Sequence, residues 1–182
     1  MLGLLLACLI PLEAQEVTFR HLAVEDGLSQ STINCIYQDH YGFMWFGTQD
    51  GLNCYDGFGF TTYRSVPEDS ATLSHNWIWD VTEDDDHNLW IATWNGLTRY
   101  KRATRTFSRF LPDSTRKTSI SGTRPASLAR DSLGQIWIGI WGGGVNLLDP
   151  ERGTFTRYRH AENPARNYPG DFIRKLYIDR EG

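Results

Sequence analysis

Three stretches of this sequence can be laid over one another, and a chain that repeats itself at such intervals is committed to a repetitive architecture. They run from Ile33 to Tyr63, from Ile78 to Phe110 and from Ala126 to Tyr158. Asp39, Asp84, Asp131 and Asp179 follow one another at spacings of 45, 47 and 48. Trp45, Trp90 and Trp137 are spaced by 45 and 47, and Phe60, Phe107 and Phe155 by 47 and 48. Agreement at several independent columns marks a structural unit of that length.

Each unit reads as four short strands. An apolar stretch precedes the Asp, as in Ile33 to Tyr37 and Ile78 to Thr82. A turn follows, Asp39-His40-Tyr41-Gly42 or Asp131-Ser132-Leu133-Gly134, in which Asp accepts backbone N–H groups and Gly supplies a positive φ. In the second unit, Asp84-Asp85-Asp86-His87-Asn88, the left-handed position is expected at Asn88. The second strand is the most apolar: Phe43 to Thr48, Leu89 to Thr93 and Ile136 to Ile140. A Gly-bearing turn leads to the third strand, Leu52 to Tyr55, Leu97 to Tyr100 and Val145 to Leu148. The fourth is Phe60 to Tyr63, Phe107 to Phe110 and Phe155 to Tyr158.

Four antiparallel strands recurring in this way predict an all-β chain of β-propeller blades. A near-continuous apolar second strand fits, because a blade is covered on both faces by its neighbours. Closure takes about four to eight blades. The chain supplies three complete blades (33–63, 78–110, 126–158) and the start of a fourth (172–182), an open array. Residues 15–32 read as a lead-in with a lone strand, Phe19 to Ala23, of the kind that completes a last blade. The chain is therefore expected to be an N-terminal fragment of a longer protein.

Residues 1–14 are of another kind. Leu2, Leu4, Leu5, Leu6, Ala7, Leu9, Ile10 and Leu12 form an apolar run ending at Ala14. It is too short to span a bilayer, which takes about 20 apolar residues. It reads as a secretory signal peptide, although no Lys or Arg precedes Arg20, so its own start is incomplete or atypical. The alternative is a buried N-terminal strand. Export would permit disulfides, but Cys35 and Cys54 fall on the first and third strands of one blade. Strands two apart lie about 9.5 Å apart, and a disulfide needs Cα atoms within about 7 Å, so both are expected as free thiols. The net charge of −4 argues against a nucleic-acid surface.

The stretches GFMWFGTQDGLNCYDG (Gly42 to Gly57), NLWIATWNGLTRY (Asn88 to Tyr100) and QIWIGIWGGGVNLLD (Gln135 to Asp149) carry a family resemblance, with Asp26-Gly27-Leu28-Ser29 ahead of them. They resemble the two-component regulator propeller repeats of the periplasmic sensor regions of bacterial hybrid histidine kinases. The likeness covers about residues 19–182. It departs at Ala92 for a usual Gly, Ile140 for Thr and Leu148 for an aromatic. It implies a full-length protein with two propellers, a small β-sandwich, one membrane-spanning helix, and kinase, receiver and helix-turn-helix domains beyond it. It also implies detection of oligosaccharides released during polysaccharide breakdown, with transcription controlled by phosphorelay. A homodimer formed through the full ectodomain is expected, with membrane contact only through the downstream helix.

No catalytic residue, cofactor or metal site is expected. One Asp per blade at the same turn is a turn former, whereas a glycosidase needs two carboxylates about 5–10 Å apart. The five His show no metal-ligand spacing. Gly142-Gly143-Gly144 lacks the helix and Lys of a phosphate loop. The run Glu83 to Asp86 offers Ca²⁺ ligands, or simply a solvated turn.

Residues the fold needs recur, while residues that read a ligand are free to differ. Four places after the repeated Trp the units carry Gln49, Trp94 and Trp141. The blade-linking loops on the same face hold Ser29-Gln30-Ser31, His75-Asn76-Trp77 and Arg124. The candidate ligand residues are thus Trp77, Trp94, Trp141, Asn76, Asn95, His75 and Arg124. Flat aromatic rings stack on apolar sugar faces, while amides and Arg take hydroxyls. The competing reading is that Trp94 and Trp141 pack on neighbouring blades or on the second propeller. Two other functions fit the same fold: an extracellular propeller enzyme acting on glycans as a lyase or hydrolase, and a protein-interaction propeller.

Overall fold

Each repeat folds into one four-stranded antiparallel sheet in the computed structural model, which describes residues 19–159 and 171–179. Blade 1 is β1 (Ile33–Gln38), β2 (Met44–Thr48), β3 (Leu52–Tyr55) and β4 (Phe60–Tyr63). Blade 2 is β5 (Ile78–Glu83), β6 (Leu89–Thr93), β7 (Gly96–Lys101) and β8 (Thr106–Phe110). Blade 3 is β9 (Pro125–Arg130), β10 (Ile136–Ile140), β11 (Gly144–Asp149) and β12 (Thr154–Tyr158). Strands follow chain order within every sheet, and the first strands β1, β5 and β9 pack side by side in succession. This is an open propeller array. The signal-peptide reading of residues 1–14, with Cys8, lies outside the described residues.

The repeated Asp does more than shape its turn. Asp39 Oδ1 accepts the Tyr41 and Phe43 N–H groups, and Asp131 Oδ1 those of Leu133 and Gln135. The second carboxylate oxygen accepts the indole N–H of the repeated Trp: Trp45 Nε1 to Asp39 at 2.7 Å, Trp90 to Asp84 at 2.8 Å and Trp137 to Asp131 at 2.8 Å. A buried indole N–H needs such an acceptor. The Asp-x5-Trp spacing is therefore a hydrogen-bond constraint, and the turn locks the ring.

The left-handed residue of these turns is Gly42, Gly134 and, in blade 2, His87 at φ 60°. The expectation of Asn88 was one residue late. Asn88 N–H and Nδ2 instead donate to Asp84, which fixes Asn88 in the position of Phe43 and Gln135. Nor is the acidic run simply solvated. Glu83 and Asp84 are buried, with Glu83 Oε2 accepting the His40 N–H at 2.8 Å. Only Asp85 and Asp86 are exposed.

The repeated Trp lies between blades. Trp45 clusters with Ile78, Val81, Leu89 and Ile91 of blade 2, and Trp90 with Leu128, Ile136 and Ile138 of blade 3. Ahead of each blade a Leu-Ser or Ile-Ser pair anchors the linking loop. Leu28, Leu73 and Ile120 are buried. Ser29 and Ser121 donate backbone N–H groups to Asn53 and Asn146 Oδ1, and Ser74 to Thr98 Oγ1. Arg109 of β8 reaches back to the loop before its own blade, donating to the carbonyls of Val66, Asp69, Thr72 and Leu73. Arg157 of β12 does the same to Arg116 and Ser119. Substituting Arg109 by Ala removes the donors to four carbonyls. Limited proteolysis is expected to open the 64–73 loop first; an unchanged digestion pattern would show that the loop is held by Leu73 and Ser74 alone.

Residues 19–23 form no strand; they lead into a 3-10 turn, Val24–Asp26. Their backbone pairs with none of the described strands, and the contact they make is the Arg20 guanidinium donating to the Tyr55 hydroxyl of β3 at 3.1 Å. Residues 173–179 likewise have no strand pairing of their own, but they enter in register with the earlier first strands. Phe172 bridges to Trp141, Ile173 N–H donates to the Ile140 carbonyl at 3.4 Å, and Leu176 N–H donates to Ser127 Oγ.

Cys35 and Cys54 are free thiols. Cys35 pairs with Gly47 and Cys54 with Trp45, on opposite sides of β2. Burial first, then the charge of Asp80, pushes the Cys35 thiol up to about 12; burial and Asp39 push Cys54 up to about 11. Both thus stay protonated at pH 8, and the thiolate is the nucleophile. A disulfide-exchange colorimetric reagent is expected to modify neither until denaturant is added; fast labelling of native protein would contradict the buried geometry.

Candidate functional site

At the end of each blade away from the Asp turns, the ladder between first and second strands skips one residue. Ile33 pairs with Thr48 and Cys35 with Gly47, leaving out Asn34. Ile78 pairs with Thr93 and Asp80 with Ala92, leaving out Trp79. Pro125 pairs with Ile140 and Ser127 with Gly139, leaving out Ala126. Such a bulge re-aims the extra side chain and strengthens the local twist. It takes the same position in all three blades.

In blade 2 that side chain is Trp79, and it joins two rings from the adjoining loops. Trp77 and Trp79 lie 5.5 Å apart, Trp77 and Trp94 5.2 Å, and Trp79 and Trp94 5.9 Å between ring centroids. These rings, with Arg124, Ala126, Trp141 and Arg174, line a groove of about 450 Å³. The Arg124 guanidinium lies 4.5 Å from the Trp94 centroid and that of Arg174 4.8 Å from Trp141. Trp141 is 40% exposed and touches Phe172 edge-on. The Trp77 indole N–H has no acceptor among the described residues.

Four of the seven residues expected from the sequence line this groove: Trp77, Trp94, Trp141 and Arg124. The other three do not. Asn76 Oδ1 accepts the Ser65 N–H at 2.6 Å, and its carbonyl accepts that of Gly51, so it ties two loops together. His75 Nδ1 accepts the Trp77 N–H at 2.9 Å. Burial holds the His75 imidazole below its ordinary pKa, which keeps that nitrogen an acceptor. Asn95 is exposed and outside the groove, its N–H given to Thr93 Oγ1. Trp79 and Arg174 were missed, yet the signal was present. They share a column with Asn34 and Ala126, and its four residue types differ completely.

A second hollow of about 310 Å³ lies at the opposite ends of the blades, among Tyr37, Asp39, His40, Glu83, Asp85, His87 and Arg130. Its polar groups serve one another. His40 and His87 stack at 4.0 Å, His87 Nδ1 lies 3.4 Å from Glu83, Arg102 pairs with Asp39, and Arg130 pairs with Asp85. Among the described residues no group of three His, Cys, Asp or Glu side chains could hold a metal ion, and no helix is long and apolar enough to cross a membrane.

The class is defined by these sheets: an open array of β-propeller blades with a tryptophan-lined groove where first strands bulge. A model of the two-component regulator propeller matches residues 27–50 and 72–95, each covering a Leu-Ser anchor and the first two strands. Both matched segments are similar to two-component regulator propeller repeats. Over 67 residues it is 48% identical to histidine kinase P4 of Formosa agariphila, a match covering 36% of this chain and 5% of that protein. Among solved structures, the extracellular domain assigned to a hybrid two component system of B. thetaiotaomicron superposes with TM-score 0.77 at 30% identity, over 84% of this chain and 21% of that one. A second extracellular domain from B. thetaiotaomicron superposes at 0.69 with 26% identity, over 88% of this chain and 23% of that one. A streptogramin B lyase, at 18% identity and TM-score 0.53 over 72% of this chain and 42% of that one, shares the fold alone.

Proposed function

We propose that these blades belong to the ligand-sensing, periplasmic region of a membrane-bound hybrid two-component sensor, and that the tryptophan groove takes an oligosaccharide. Four indoles on one groove carry this reading: their flat faces match the apolar faces of sugar rings. The likeness to extracellular domains of B. thetaiotaomicron supports the sensing role. The output, a phosphorelay that controls transcription, and a homodimer formed through the whole ectodomain are part of the same proposal.

A catalytic reading is less well served by the groove. Its described lining holds no carboxylate, His, Cys or Tyr. Glycoside hydrolysis needs a pair of carboxylates, and general acid–base chemistry needs at least one titratable group in reach.

Trp141 is the probe of choice, because its ring is 40% exposed. In the intact ectodomain, Trp141→Ala is expected to weaken oligosaccharide binding by roughly tenfold, since stacking is worth about 1 kcal/mol or more per ring. Calorimetric titration reads the affinity and a melting curve the stability. Unchanged affinity with a lowered melting temperature would make Trp141 a packing residue and remove the groove from the proposal.

A further inference from the structure

Most of the described arginines are committed, Arg20 to the Tyr55 hydroxyl and Arg99 to the Pro150 carbonyl among them. Arg64, Arg102, Arg130, Arg152 and Arg159 face carboxylates, and Arg109 and Arg157 are spent on loop carbonyls. Arg124 and Arg174 are not. Both are exposed, and neither guanidinium has a hydrogen bond or ion pair among the described residues. What each does have is an indole, at 4.5 and 4.8 Å, and a place on the same groove. Stacking on a ring fixes the plane of a guanidinium while leaving its N–H edge free. No acidic side chain lines the groove. Asp80, on the first strand of blade 2, is already held by Lys175 at 3.1 Å and by the Leu128 N–H. A chain of net charge −4 thus presents two oriented, uncompensated cations beside four aromatic faces.

From this we infer that the oligosaccharide is acidic: Arg124 and Arg174 receive a carboxylate or sulfate borne by a sugar whose ring stacks on Trp94 or Trp141. The inference rests on the oligosaccharide reading of this groove and narrows it. A guanidinium fork meets an oxyanion through two parallel hydrogen bonds, which a neutral hydroxyl cannot match and an ammonium cannot imitate. The device selects charge through the arginines and ring shape through the tryptophans.

The test is calorimetric titration of the intact ectodomain with three probes of equal length: tetragalacturonate, a κ-carrageenan tetrasaccharide and neutral cellotetraose. At least one acidic probe is expected to bind tenfold or more tighter than cellotetraose, its affinity falling as salt rises. Which one binds decides between carboxylate and sulfate. Arg124→Gln and Arg174→Gln are each expected to lose about tenfold for that probe, and Arg174→Lys to restore little. Neither side chain has a structural bond to lose, so the melting temperature should hold. Cellotetraose binding as tightly as both acidic probes would overturn the acidic inference and leave the sugar groove standing. Absence of binding by all three would overturn both.

Discussion

Asp84→Ala is expected to destabilise the protein by about 3 kcal/mol or more, because one buried carboxylate satisfies three buried donors at once. Asp84, Asn88 and Trp90 are 7%, 8% and 0% exposed. Asp84 takes the Trp90 indole N–H at 2.8 Å and the Asn88 backbone N–H at 2.8 Å, with Asn88 Nδ2 at 3.1 Å. Alanine strands these donors where water does not replace the lost partner, at roughly 1–3 kcal/mol each. The equivalent change in blade 3, Asp131→Ala, is expected to cost less, since Asp131 and Trp137 are only half-buried. Urea unfolding followed by tryptophan fluorescence gives both values. The coupling is separable: with Trp90→Phe in place the indole donor is gone, and Asp84→Ala should then cost less than it does alone. Additive losses would show that the carboxylate serves its turn and not the ring.

Gly47→Ala and Gly139→Ala are expected to cost about 1–3 kcal/mol each by overpacking, whereas at the matching position of blade 2 the preference is reversed. A Cβ on Gly47 would meet Cys35 Sγ at 2.5 Å and Ile78 Cγ2 at 2.8 Å. One on Gly139 would meet Ile173 Cγ2 at 2.5 Å. Blade 2 holds Ala92 there, fully buried, and the first strand that follows it begins with Pro125, not Ile. The methyl group and the smaller facing ring go together. Ala92→Gly should therefore destabilise by about 1 kcal/mol, from lost burial and added backbone freedom. Melting curves of the three single variants check the signs. A neutral Gly47→Ala would mean that the blades can slide apart by several tenths of an ångström without loss.

The blades were legible because several constraints repeat together: the Asp turn, the apolar second strand and the Gly turn recur with nearly constant spacing. The limits of β3, β4, β6 and β10 are those read from the sequence, and the others are shifted by one residue at one or both ends, as with β7, which begins at Gly96 rather than Leu97. What stayed hidden depends on the third dimension. Nothing in the residues around Trp79 marks a bulge, because the skip is defined by the partner strand. His87 was passed over for the left-handed position because Asn adopts it more readily, yet the Asp84 hydrogen bonds to Asn88 decided the register. His75 and Asn76 looked like ligand residues because they differ between copies. Their polar atoms are consumed by Trp77 and Ser65, and a linking loop uses whatever polar groups it has to satisfy its own backbone.

The bulge gives this architecture an economy of change. Asn34, Trp79 and Ala126 stand outside the ladder, so exchanging one of them removes no rung of it; what Asn34 does hold is the Ile78 carbonyl, and Trp79 packs against the core between blades 2 and 3. Duplicated blades can then diverge at a single letter apiece while the scaffold stays fixed. A library varying those few positions alone would sample new specificities while every rung of the ladders is kept, which makes the inner rim the natural place to re-engineer what such a sheet array recognises.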